Sequence, residues 1–156
     1  MRLTVYKNFN KMYFGIKENV MTICICVLVQ HPIDNNLFLA VSRKDNPTDF
    51  GLPGGKYEHE DMYYHETGER ETLEETGYEV YTLVGDMFEN AEPMLDNYVF
   101  TYRGYLCRPN DIHEDIKPTN PDETGVVKWL PASELIKGSF SEYNKAMFKH
   151  FGIPIE

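Results

Sequence analysis

The spacing of apolar positions changes along this chain, and each change marks an element. Val20-Met-Thr-Ile-Cys-Ile-Cys-Val-Leu-Val29 is rich in β-branched side chains and predicts a central strand. Asn36 to Ser42 reads as its hairpin partner across a turn at Pro32 to Asn35. Glu79 to Leu83 and Tyr98 to Leu106 predict further strands, the second alternating in part, and Val126 to Trp129 predicts a short one. A helix is expected from Thr67 onward until Gly77 stops it, and a shorter one from Pro131 to Lys137 until Gly138. A last helix runs through His150, opened by a capping box of Ser139 and Glu142. Asn110 to Thr124, acidic and broken by prolines, reads as a loop. Helices alternating with strands and hairpins predict an α/β fold with a mixed sheet between helices.

Composition narrows the class. A chain of 156 residues, 42% of them hydrophobic, is expected to form a single domain over residues 1–156 with a substantial core. The apolar run at Val20 to Val29 is too short to span a bilayer, and the N-terminus lacks the order of a secretory signal, so the cytoplasm is the expected location. Acidic residues outnumber basic ones, 25 to 15. That balance argues against an extended duplex nucleic-acid face, which needs cations to displace counterions. It leaves room for nucleotides whose phosphates are held by metal ions. Cys24, Cys26 and Cys107 are too few and too badly spaced for a zinc site and read as buried reduced thiols.

The chemistry concentrates in residues 54–78, GGKYEHEDMYYHETGERETLEETGY. Glu71, Glu74 and Glu75 fall at i, i+3 and i+4 and share one helix face, where like charges repel unless a cation offsets them. Hard oxygen donors without nearby Cys or paired His favour Mg2+ or Mn2+ over zinc. Upstream, Leu52-Pro53-Gly54-Gly55-Lys56 reads as a turn. Its glycines are free to take positive φ and to let backbone approach a metal or phosphate.

This ordered combination resembles the Nudix hydrolase signature: a glycine, five residues, Glu, seven residues, then Arg-Glu-apolar-x-Glu-Glu-x-Gly-apolar. Gly55 fits the opening glycine, and Arg70-Glu71-Thr72-Leu73-Glu74-Glu75-Thr76-Gly77-Tyr78 fits the closing half. Asp61 stands where five residues from Gly55 should reach Glu, with Glu60 its neighbour. One extra residue lies in the loop before the helix, and Thr72 replaces a larger apolar side chain. Trp129-Leu-Pro with Glu134-Leu135 is similar to a common C-terminal pattern of the family, so the resemblance covers about residues 20–150.

The resemblance implies a Nudix-type α/β/α sandwich and metal-dependent hydrolysis of the diphosphate linkage in a nucleoside diphosphate joined to another group. ADP-ribose, nucleotide sugars and nucleoside triphosphates are all open. It implies that Glu71, Glu74 and Glu75 hold the metal, joined by a backbone carbonyl of Gly54 or Gly55. It also implies a general base from the motif or from a later loop, where Glu123 is the candidate and Asp122 the competitor. Arg70 is expected to pair with Glu66 and Glu74 and so orient a ligand carboxylate. Arg43 and Lys56 are candidates for phosphate contact. Phe50 and Tyr57, with Tyr63 and Tyr64, are candidates for stacking on a base, while His59 and His65 read as titrating surface residues. Pro93 is placed as in ADP-ribose pyrophosphatases, though its neighbours do not extend the similarity. The alternative is a catalytically inactive Nudix-like nucleotide-binding module, and a homodimer is compatible with a domain of this size.

Overall fold

The β-branched run becomes the strand around which the rest is laid. A computed structural model describes residues 22–92, 97–110, 112, 116–123 and 125–156, the side chain of Glu123 excepted; Val20, Met21 and Pro93 lie outside the described residues. In chain order come β1 (Thr22–Val29), β2 (Leu37–Arg43), β3 (Asn46–Gly51), β4 (Gly54–Lys56) and α1 (Tyr64–Thr76). β5 (Val80–Glu92), β6 (Asn97–Leu106), a 3-10 turn (Pro121–Glu123), β7 (Val127–Pro131), α2 (Ala132–Leu135) and α3 (Ser141–His150) follow.

β1 is apolar on both faces and therefore sits inside. Ile23, Ile25, Val27 and Val29 alternate toward clusters that include Phe100, Tyr102, Tyr78 and Val80, while Cys24, Cys26 and Leu28 face a cluster built on Tyr143, Met147 and Phe148 of α3. One sheet has the order β4-β1-β6-β5, with β1 and β6 parallel and the other pairs antiparallel; a second has the order β3-β2-β7, all antiparallel. The mixed α/β architecture expected from the pattern is the one observed.

The expected β1–β2 hairpin does not form. Both edges of β1 are taken by β4 and β6, and those of β2 by β3 and β7, so Gln30 to Asn36 carries the chain between sheets with a single bridge, Gln30 to Phe38. β3 and the outer half of β5 carry polar or exposed positions without clean alternation, so pattern reading passes over them. The capping box is also absent. Ser139 donates its N–H and its hydroxyl to the buried carboxylate of Asp49 (3.0 and 2.6 Å), a charge-assisted arrangement stronger than a neutral cap.

α1 begins at Tyr64, three residues before the expected start, with the Tyr63 N–H donating to Glu66 Oε1 at 2.8 Å. It ends as expected at Gly77, whose φ of 82° and N–H to the Leu73 carbonyl form a left-handed stop. The buried side of α1 consists of Thr67, Gly68, Thr72 and Thr76. The hydroxyls of Thr72 and Thr76 bond back to the carbonyls of Gly68 and Thr72 (2.7 and 2.6 Å), which is how a buried threonine serves where an apolar residue was expected. Among the described residues no helix is long and apolar enough to cross a membrane.

Candidate active site

The Gly54-Gly55 pair is a strand rather than a turn. Both residues lie in β4, opposite Cys26 and Ile25 of β1, and neither takes positive φ. Their lack of side chains serves close approach instead. A Cβ on Gly54 would meet the Ile25 carbonyl, and one on Gly55 would land on the Glu71 carboxyl group. Glu75 Oε1 accepts the Gly54 N–H at 2.8 Å. Two carboxylates of α1 are thus delivered to one short stretch of backbone.

A guanidinium holds this arrangement. Arg70 Nη1 donates to Glu71 Oε1 at 3.0 Å and to Glu74 at 3.3 Å, while Nη2 and Nε clasp Asp61 at 2.9 and 3.3 Å. Thr67 adds a hydroxyl bond to Asp61 at 2.7 Å. The Asp61 carboxyl is held below the usual carboxylate range, chiefly by the hydrogen bonds from Arg70, and Arg70 is pushed up mainly by the same bond. Asp61 therefore sits in the organising network, while Glu60 is exposed and lies 3.6 Å from His59 Nε2. Arg70 pairs with Glu74 as expected from spacing, but Glu66 turns to the helix start. In this structure the guanidinium offsets the charge of two of the three glutamates, Glu71 and Glu74.

The donor set suits a hard divalent cation. Glu71, Glu74 and Glu75 offer only oxygen, and the absence of side chains on Gly54 and Gly55 lets Glu71 and Glu75 approach that half-buried stretch of backbone. Those carboxylates, with a carbonyl of Gly54 or Gly55, would hold Mg2+ or Mn2+; among the described residues no three His, Cys, Asp or Glu side chains already stand grouped around one point. Such an ion supplies charge neutralisation and an activated water when bound.

A cleft of about 250 Å³ opens beside this edge, between the two sheets and the start of α3. Gly54, Gly55 and Glu75 line it, and so does Arg43, whose Nε is held by Asp45 at 3.0 Å. The other sequence candidates do not line it. Phe50 packs against the α3 cluster with Lys128 over its ring at 5.5 Å, and Tyr57 stacks edge-on with Tyr64 and donates to the Asp61 carbonyl. Lys56 is exposed at the end of β4, and Tyr63 and His65 stack on each other at the helix start. Glu123 closes the 3-10 turn; its side chain lies outside the described residues, and Asp122 is exposed. That turn is pinned to the helix, since the Asn120 N–H donates to the Glu74 carbonyl at 3.0 Å.

Sequence reading missed several cleft residues. Cys24 and Cys26 line the cleft, half-buried rather than fully buried, and Cys107 is exposed. Burial pushes the Cys24 thiol up to about 11 and Cys26 higher still, so neither is a thiolate at neutral pH. Glu92, Asn97, Tyr143 and Asn144 also line it. They come from β5, β6 and α3, and nothing local in the sequence ties them to the motif.

Residues 21–151 match the family model described as the NUDIX domain. No curated protein matches the sequence. Among solved structures, a C. elegans Ap4A hydrolase in a binary complex superposes with TM-score 0.66 at 14% identity over 85% of this chain and 96% of that one. A NUDIX hydrolase from Nitrosomonas europaea gives 0.63 at 15% identity over 85% and 88%. A UDP-X diphosphatase gives 0.61 at 13% identity over 95% and 71%. At such identities these likenesses concern the fold, which is that of the Nudix hydrolases. With the family model spanning β1 to α3 and the signature's glycine, arginine and glutamates gathered on one edge, the chain belongs to the Nudix family and is a pyrophosphohydrolase.

Proposed function

We propose that this chain hydrolyses, with Mg2+ or Mn2+, the diphosphate linkage of a nucleoside diphosphate joined to a second group. The observation that carries this reading is the convergence of Glu71 and Glu75 on the Gly54-Gly55 edge at the mouth of the cleft. Glu71, Glu74 and Glu75 are the proposed metal ligands, with Arg70 and Asp61 setting their orientation. Arg43, on the cleft wall, is the better supported of the two phosphate-binding candidates. Glu123 is the proposed general base, supported by the bond that pins its turn to α1 beside Glu74. A cytoplasmic location completes the reading, and a domain of this size is compatible with a homodimer.

The test is turnover of ADP-ribose, nucleotide sugars, dinucleoside polyphosphates, capped RNA and nucleoside triphosphates, each with and without Mg2+ or Mn2+. Metal-dependent cleavage of one class is the expected result. Nucleotide binding without cleavage of any of them would favour the inactive binding module instead.

A further inference from the structure

α3 turns a mostly apolar face inward, and Asn144 lies within it beside Tyr143, Met147 and Phe148, with 3% of its surface exposed. An amide buried there is unfavourable unless its polar atoms find partners. One of the two finds it inside the protein. Nδ2 donates to the Leu135 carbonyl at 2.8 Å, at the end of α2, where a helix leaves carbonyls without intrahelical donors. That bond also settles which end of the amide is oxygen. Oδ1 accepts from no group among the described residues, yet it is not sealed in, and Asn144 lines the cleft that opens beside the Gly54-Gly55 edge.

The walls around Asn144 suit a flat ring. Phe140 stands one turn earlier, its carbonyl accepting the Asn144 N–H at 2.9 Å, and its ring lies so close to Gly51 that a Cβ there would meet it at 2.8 Å. The ring is therefore backed by β3. Phe140, Leu52 and Val99 line the cleft as apolar wall, and an apolar wall with a fixed polar atom fits a nucleobase, whose faces are apolar and whose edge forms hydrogen bonds. A ribose or a phosphate is polar all round and would leave most of its groups unsatisfied against such a wall. An amide oxygen has no proton to give, so it selects an edge that donates. It is also recessed, and the donor that projects furthest from a base is an exocyclic amine. Adenine, cytosine and guanine carry one. Uracil has only a ring N–H set between two carbonyls, which would bring lone pairs toward the oxygen.

We propose that the cleft holds the base of an amino-bearing nucleotide and that Asn144 is a specificity-determining residue, its Oδ1 accepting from the exocyclic amine while Phe140 flanks the ring. This rests on the hydrolase reading, which sets the phosphates at the Gly54-Gly55 edge of the same cleft.

The test is calorimetric titration of the intact chain, in Mg2+ buffer, with nucleoside diphosphates in pairs that differ by one amine: adenosine and purine riboside, guanosine and inosine, cytidine and pyrimidin-2-one riboside. In the pair that binds most tightly, loss of the amine is expected to weaken binding roughly ten- to a hundredfold, because it leaves a buried acceptor unpaired. Asn144→Leu, close in size, should bring the amino nucleotide down to its partner while leaving the partner's affinity in place. Equal affinity within all three pairs in the wild type overturns the proposal without any variant. Equal weakening of both members in Asn144→Leu also overturns it, since the amide would then only brace α2 against α3. Because binding is read without turnover, an amine preference in a chain that cleaves nothing would sink the hydrolase reading and leave this one standing. Metal-dependent turnover with no amine preference would do the reverse.

Discussion

Two helices flank the four-stranded sheet, and they are held there by opposite means. α3 presents Tyr143, Met147 and Phe148 to the core, large side chains whose burial is strong and non-directional. α1 presents Thr67, Gly68, Thr72 and Thr76, which bury little apolar area. Its position is set atom by atom instead. Glu69 accepts from the Thr82 N–H and hydroxyl at 2.9 and 2.8 Å, Glu75 accepts from Gly54, and Arg70 gathers Asp61, Glu71 and Glu74. A helix that must aim carboxylates at a particular stretch of backbone gains from directional bonds and a close approach; a helix that only closes the core does not need them.

The largest effect that would break this contrast lies on α3. Phe148→Ala removes a fully buried ring packed on Phe38 at 5.5 Å and is expected to destabilise by about 3–5 kcal/mol in urea unfolding, with turnover per folded molecule nearly unchanged. On α1 the order reverses. Glu75→Gln is expected to lower metal-dependent turnover by roughly a hundredfold or more, about 2.7 kcal/mol of barrier, while thermal unfolding shifts little. Full activity in that variant would remove the metal-site assignment. Gly55→Ala drives a methyl group into the Glu71 carboxyl; a loss of about 1–3 kcal/mol and a tenfold to hundredfold fall in metal affinity or turnover are expected, read by unfolding and by Mn2+ titration.

Asp61→Asn sharpens the comparison with the smallest effect, about 1–2 kcal/mol at neutral pH, since the outer part of Arg70 is open to screening solvent. The sign with pH is set by the lowered carboxyl. Its contribution is present above the unfolded value of about 4 and is lost as pH falls through the folded one. Unfolding curves of the two proteins should therefore separate at pH 7 and converge below about pH 4. A constant separation across that range would mean that Asp61 acts through packing rather than charge.

Much of the site was legible because it is local. The glutamates at i, i+3 and i+4 share a helix face by geometry, Gly77 is the only kind of residue that takes the left-handed stop without strain, and Gly54-Gly55 declared a close approach even though the approach is a strand edge and not a turn. The place of Asp61 was ambiguous in one dimension, an Asp where the signature has Glu, with one residue too many between it and Arg70. The fold of the loop brings its carboxylate to the Arg70 guanidinium. Ser139 looked like a cap until Asp49, ninety positions away, took its hydroxyl.

What the sequence determined by itself is what short-range sterics and periodicity dictate: the β-branched strand, the acidic helix and its stop, the α/β class, and the family signature. The partners of β1, the guanidinium's pairing with three carboxylates, and the meeting of Glu92 and Asn97 with Glu75 in one cleft were decided only by the tertiary structure. Such contacts join residues tens of positions apart, and no local pattern encodes which distant groups will share a cleft once two sheets have closed over it.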